Sequence, residues 1–132
     1  FTKLLIQHES PTINGTGENS RDFTYIDNVI QMNELAMLTD NPLAVNTVYN
    51  TAVGDRTNLN ELVSYIKDFL TASDPEIANI PVNHGPNRQG DIPHSLASVN
   101  KAKEMLGYNP SHVIRQGLQE AVTWYWNQKH LL

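Results

Sequence analysis

"NGTGENSRDF", residues 14–23, sets Gly15, Gly17 and Ser20 at the spacing of a dinucleotide-binding glycine loop whose last glycine is replaced. Such a cradle needs a strand before the loop and a helix after it, so that the helix N-terminus faces the pyrophosphate. Here the loop runs into "RDFTYI" (21–26), aromatic and β-branched, which reads as a strand. The stretch is therefore a turn between extended segments, with Asn14, Gly15 and Gly17 supplying backbone freedom. It is not a phosphate cradle.

Working outward, "FTKLLIQHE" (1–9) repeats Phe1, Leu4, Leu5 and His8 at helical spacing with no capping residue in front. A helix that opens uncapped points to a cut, so the chain is expected to be a fragment of a longer protein. "SPTINGTG" (10–17) is a short extended piece entering the turn. Downstream, Asp27 is placed to cap a helix on which Val29, Ile30, Asn33, Ala36 and Met37 share a face, and "TDNP" (39–42) stops it. "TVYNTAVG" (47–54) reads as a buried strand. Asn58 or Thr57 caps a helix carrying Leu59, Leu62, Val63, Ile66, Phe69 and Leu70 on one stripe. "IPVNHGP" (80–86) reads as a strand, and "NRQGDIPHSLAS" (87–98) as a loop. Ser98 caps a short helix closed by Gly107, and a last helix aligns Val113, Ile114, Gly117, Leu118, Ala121, Val122 and Tyr125. With no repeats and no linker, residues 1–132 read as one α/β unit.

Composition bounds the chemistry. The chain has 132 residues, 39% apolar and 17% charged, enough for one domain with a core. The absence of cysteine excludes disulfides, thiolate zinc sites and cysteine nucleophiles, and fits a reducing cytosol. A formal charge of −5 argues against a general nucleic-acid binder, and no apolar run reaches membrane-spanning length. The five histidines are scattered without helical ligand spacing, so no metal site is expected. Tyr125 and Lys129, four apart in "YWNQK", imitate a tyrosine–lysine acid/base pair, but the apolar stripe already accounts for Tyr125. That leaves Arg21, beside Asp22, and Arg88, three residues before Asp91. Two guanidinium forks suit diphosphate oxygens, and a carboxylate suits ribose hydroxyls. The alternative for Arg21 is a local ion pair with Asp22.

In order along the chain, "NGTGENSRDFTYIDNVIQ", "VYNTAVGDRTNLNELVSYI", "RQGDIPHSLASVNKAKEMLGYNP" and "GLQEAVTWYW" resemble the C-terminal half of extended short-chain dehydrogenase/reductases. Within them the chain is similar to NAD-dependent nucleotide-sugar epimerases, especially UDP-N-acetylglucosamine 4-epimerases of surface-polysaccharide synthesis. The resemblance implies a Rossmann-type α/β enzyme of which residues 1–132 are the substrate-binding lobe, the N-terminal NAD-binding core being missing. It implies that Arg21 and Arg88 contact the substrate diphosphate, that Asp91 holds the ribose, and that Asn14 and Gly15 form the turn leading to the first arginine. Asn50 would lie in the last parallel strand of the sheet. Ser98 stands where the family often has aspartate, and His94 receives no role.

The family's glycine-rich NAD loop, catalytic serine and tyrosine–lysine pair have no counterpart here. The resemblance thus implies a cytoplasmic, NAD-dependent parent, commonly a homodimer, and a fragment that binds no NAD and is inactive alone. The expected ligand is a UDP-sugar, with no nucleic acid or membrane partner. Dehydratases and decarboxylases of nucleotide sugars share these phrases, and a non-catalytic nucleotide- or protein-binding domain is the alternative of another class. A bare edge on the "VYNTAVG" strand would let the fragment self-associate.

Overall fold

The computed structural model describes residues 1–132, which divide into two compact units, each assembled from separate stretches of chain. The first comprises Phe1–Ser20, Thr57–His94 and Leu118–Leu132; the second comprises Arg21–Arg56 and Ser95–Gly117.

The first unit is organised by helix α3, Leu59–Thr71. Its start is written locally: Asn58 Oδ1 accepts from the Glu61 amide at 2.8 Å while the Glu61 carboxylate accepts from the Asn58 amide at 3.0 Å, a reciprocal capping box. Leu62, Val63, Ile66 and Leu70 then fall on one face and are buried, each contributing about 1.5–3 kcal/mol. That face packs against α1, Thr2–Ile6, through the fully buried Leu5, and against a 3-10 turn, Pro75–Asn79, through Ile77. Strand β1, Thr12–Asn14, runs parallel to β4, Asn83–Gly85, pairing Ile13 with His84. Ile13 points into the core, and alternation leaves Thr12 and Asn14 exposed. Strand β3, Thr57–Asn58, pairs with β2, Ser20–Arg21, whose first residue belongs to this unit.

The second unit packs α2, Ile26–Leu38, and α4, Asn100–Leu106, around Met32, Ala44, Ala52, Val99, Ala102, Leu106 and Tyr108. Gly107, at φ 69°, ends α4 in the left-handed conformation, and the Tyr108 amide returns to the Ala102 carbonyl at 3.2 Å. Tyr108 is buried, and its hydroxyl donates to the Ala52 carbonyl at 2.8 Å. Helix α5, Ile114–Asn127, has its first turn in this unit and the remainder in the first unit.

Several sequence expectations are corrected. "RDFTYI" is a strand only at its first residue, because β2 ends at Arg21. The N-cap of α2 is the extended Tyr25, and Asp27 sits in the first turn, where its charge still favours the helix dipole. The face of α2 read as its core face is turned outward: Ile30 and Met37 are exposed, as is Ile26, whereas Asn28 and Met32 are buried. The rotation is set by Asn28, whose side chain binds the backbone of residues 111–112. "TVYNTAVG" forms no strand, since a ladder requires a hydrogen-bonded neighbour and the segment has none within its unit. Tyr49 nonetheless packs inward while Val48 stands 84% exposed, the alternation of an unpaired strand. Val99, not Ser98, occupies the N-cap of α4, and the Ser98 carbonyl accepts from Asn50 Nδ2 at 3.1 Å.

Candidate nucleotide-binding residues

The glycines of "NGTG" have structural work in the first unit. Gly15 (φ 75°) and Gly17 (φ 82°) both adopt the left-handed region. A Cβ on Gly15 would collide with the Asn87 amide oxygen, and one on Gly17 with the Asn60 side chain. The Gly17 carbonyl accepts from the Leu59 amide at 2.9 Å, and Asn60 Nδ2 donates to the Thr16 carbonyl at 3.0 Å. The turn thus seats its carbonyls on the first turn of α3. The helix N-terminus is taken by protein oxygen, and a phosphate has no amide cradle there.

The same turn meets the segment that precedes Arg88. The Gly15 amide donates to the Gly85 carbonyl at 3.0 Å, and His84 Nδ1 lies 2.8 Å from the Gly15 carbonyl. Asn14 and Gly15 therefore adjoin residues 84–87. Beyond them, Arg88 and Asp91 close a turn in which the Asp91 amide donates to the Arg88 carbonyl at 3.2 Å, with Gly90 at φ 79° on the tip. Both side chains are exposed.

This loop is held down at its far end. Asn19 Nδ2 donates to Asp91 Oδ2 at 2.7 Å. The Ser20 amide donates to the Pro93 carbonyl at 2.9 Å, and Ser20 Oγ lies 2.9 Å from His94 Nδ1, with a parallel bridge between the two backbones. Asn14, Gly15, Arg88 and Asp91 thus share the first unit, and their loop is attached to the two residues that immediately precede Arg21. Sequence reasoning assigned nothing to Asn19, Ser20 or His94. They are 72–74 residues from their partners and carry no spacing signature.

Arg21 opens the second unit, and its neighbour Asp22 is committed to backbone. Asp22 Oδ1 accepts from the Val53 amide and Oδ2 from the Gly54 amide, both at 3.0 Å. The carboxylate thereby fixes the 52–54 turn. Burial, and then the Asp22 charge, push the Tyr108 phenol above its ordinary value, and the neutral hydroxyl donates to the Ala52 carbonyl.

Two other places in the first unit gather polar groups. A depression of about 210 Å³ in the first unit is lined by Ile13, Asn60, Ser64, Lys67 and His84 among others. It lies on the Ile13 side of β1 and falls short of the roughly 300 Å³ lower bound of ligand pockets. His8, Asp74 and Glu76 bring their ligand atoms within 4.8 Å of one another, a grouping that scattered histidines gave no hint of. Yet His8 meets Asp74 through Nε2 at 2.8 Å and Glu76 through Nδ1 at 3.8 Å. Opposite ring nitrogens make this an imidazole wedged between carboxylates rather than donors converging on one point. Lys129 lies past the end of α5, with its ammonium 4.0 Å from the Trp126 ring centre. No helix is long and apolar enough to cross a membrane.

Residues 2–121 match the family described as GDP-mannose 4,6 dehydratase. A putative UDP-glucose 4-epimerase of Methanocaldococcus jannaschii is 28% identical over 127 residues, covering 96% of this chain and 38% of that protein. Among solved structures, UDP-glucose 4-epimerase of Thermotoga maritima with UDP-glucose aligns at TM-score 0.80 and 34% identity, over 99% of this chain and 38% of its own. UDP-N-acetylglucosamine 4-epimerase of Methanobrevibacter ruminantium, in complex with UDP-N-acetylmuramic acid, aligns at 0.81 and 34%, over 96% and 38%. The chain thus spans about 38% of the length of these relatives. MoeE5, in complex with UDP-glucuronic acid and NAD, aligns at 0.78 and 27%, over 97% of this chain and 42% of its own.

Proposed function

Because the chain belongs to the GDP-mannose 4,6 dehydratase family, NAD-dependent nucleotide-sugar epimerases and dehydratases of the extended short-chain dehydrogenase/reductase type, we propose that it is the substrate-binding lobe of a nucleotide-sugar 4-epimerase. The substrate is a UDP-hexose, either UDP-N-acetylglucosamine with its 4-epimer or the non-acetylated pair, handled in the cytoplasm for surface-polysaccharide synthesis. One observation carries this reading: the Arg88–Asp91 loop is fastened, through Asn19, Ser20 and His94, to the residues leading into Arg21.

In this reading Arg21 and Arg88 bind the diphosphate and Asp91 accepts from the ribose hydroxyls. Asn14 and Gly15 shape the turn that begins the strand of approach. Guanidinium forks hold phosphate oxygens in two bonds each. They anchor a part of the substrate that does not react, and that binding energy positions the reacting sugar carbon while leaving the hexose free to turn. The chain's own residues do not fit NAD: its glycine turn presents carbonyls to α3 and leaves no open helix N-terminus behind a strand. The cofactor's chemistry, hydride removal and return at the sugar, accordingly lies with the remainder of a longer, dimeric enzyme.

A titration of the chain with UDP tests the reading, with weak binding expected because much of the pocket is absent. Arg88→Ala should abolish that binding without changing the melting temperature. UDP binding that survives Arg88→Ala refutes the assignment. A dehydratase is the second reading, favoured by the description of the matching family. The longer protein, given UDP-N-acetylglucosamine, should return the 4-epimer with no net NADH, whereas a dehydratase releases water and a 4-keto product.

A further inference from the structure

We propose that Asn14 is a site of spontaneous deamidation, and that the pairing of β1 with β4 is the gate that controls it.

Asn14–Gly15 is the one Asn–Gly step in the chain. Asparagine is a chemically labile residue, and the reaction needs no partner but water. The Gly15 amide nitrogen attacks Cγ of Asn14 and forms a bond to it. The bond from Cγ to the side-chain nitrogen breaks, and that nitrogen leaves as ammonia with the proton given up by the Gly15 amide. Water then opens the five-membered imide at either carbonyl, leaving aspartate or isoaspartate. Glycine has no Cβ to obstruct ring closure, and the Asn14 side chain is exposed to the water it needs.

The folded backbone opposes the first step twice. The Gly15 amide donates to the Gly85 carbonyl at 3.0 Å, which holds the proton that must leave. Asn14 is also the last residue of β1, in register with Gly85, and in a strand the following nitrogen is turned away from the side chain. The ring closes only after this rung opens and the Asn14 Cα–C bond rotates. The rung ends a strand of three residues, where local opening is easiest. One side chain braces it: His84 Nδ1 lies 2.8 Å from the Gly15 carbonyl. A carbonyl only accepts, so Nδ1 carries the proton of that bond. His84 is exposed, and truncating it leaves the core intact.

The product does not fit the fold that delayed it. Isoaspartate threads an additional methylene into the main chain at the rung and ends its register with Gly85. A transient opening of β1 is thereby made permanent.

The test incubates the whole chain at mildly alkaline pH, folded and unfolded in guanidinium chloride, and follows each asparagine by peptide mapping and mass spectrometry. In the unfolded chain Asn14 should convert ahead of every other asparagine, and folding should slow it about tenfold or more. His84→Ala should speed conversion in the folded chain about two- to tenfold, the value of one hydrogen bond, with Asn19 unchanged. Asn14→Gln, which keeps the amide but needs a larger ring, should leave position 14 unconverted. Equal Asn14 rates in folded and unfolded chains overturn the inference, and so does another asparagine converting first, or a His84→Ala rate equal to the original. If Asn19 accelerates equally, His84→Ala has unfolded the unit, and the original chain decides: in sub-denaturing guanidinium chloride, Asn14 conversion must rise in step with hydrogen exchange at the Gly15 amide. Conversion that does not follow that exchange overturns the gate.

Discussion

Replacing Asn28 by alanine should cost the second unit roughly 3–5 kcal/mol of folding stability. The side chain is completely buried, and it serves two backbone amides and a carbonyl at once. Its Oδ1 accepts from the Ser111 amide at 2.8 Å and the His112 amide at 3.1 Å, with the Ser111 hydroxyl at 3.3 Å. Its Nδ2 donates to the His112 carbonyl at 2.8 Å. Alanine leaves those three backbone groups without partners, and each buried unpaired group costs about 1–3 kcal/mol. The site is only partly closed to solvent, so water reaches some of them and the sum falls toward the lower half of the range. Asn28→Asp keeps the acceptor and turns an oxygen toward the His112 carbonyl, for a loss of about 1–3 kcal/mol. Ser111→Ala removes the 3.3 Å bond to Asn28 and the exposed 2.8 Å contact of its hydroxyl with His112 Nδ1, and should cost about 0.5–1.5 kcal/mol. Urea denaturation followed by far-UV circular dichroism measures all three. A loss below about 1 kcal/mol for alanine, or an aspartate variant as stable as the original, would show that Asn28 is not the fastening of α2 to residues 111–112.

Gly117→Ala should destabilise by about 1–3 kcal/mol despite alanine's better helix propensity, because the added carbon would collide with Tyr25 Cβ; a raised melting temperature refutes this. The hydrogen bond from His8 holds the Asp74 carboxyl below its ordinary value of 3.8. Its stabilising contribution is therefore complete above that value and lost as pH falls through the depressed one. Asp74→Asn should flatten this acid limb in urea midpoints measured across pH, and an unchanged acid limb counts against the pairing. At high concentration the chain should elute from size-exclusion chromatography as a dimer or larger through residues 47–53, and Val48→Lys should reduce the association; a well-folded monomer refutes it.

What the sequence made legible was local. The cap of α3, which falls on Asn58 of the two candidates Asn58 and Thr57, its apolar stripe and the glycine end of α4 all depend on residues within a few positions of one another, and each was legible. The rotation of α2 was not legible, because it is set by Asn28 reaching residues 83 and 84 positions away, against the direction of the apolar stripe. The 47–54 segment carries strand composition, but pairing is a property of two segments, and one is not in its unit. The candidate site divides the same way. Arg21, Arg88 and Asp91 stand out by residue type, whereas Asn19, Ser20 and His94 are ordinary polar residues whose importance appears only when the chain brings 19–20 against 91–94. Asp22 reads from the sequence as an ion-pair partner of Arg21, and nothing in the sequence marks the 53–54 amides that its oxygens hold.

The two units exchange the chain four times, at residues 20/21, 56/57, 94/95 and 117/118. During synthesis neither can be completed in the order it is begun. The opening segment holds Leu5 and Ile13, yet the stretch supplying Val122 to the same unit emerges only after residue 118. At typical translation speeds that is a delay of roughly 5–20 s, during which the apolar surface that Val122 completes waits uncovered on the ribosome. A chaperone that shields nascent segments would meet its client in that interval, and a slow codon placed between residues 94 and 118 would lengthen it.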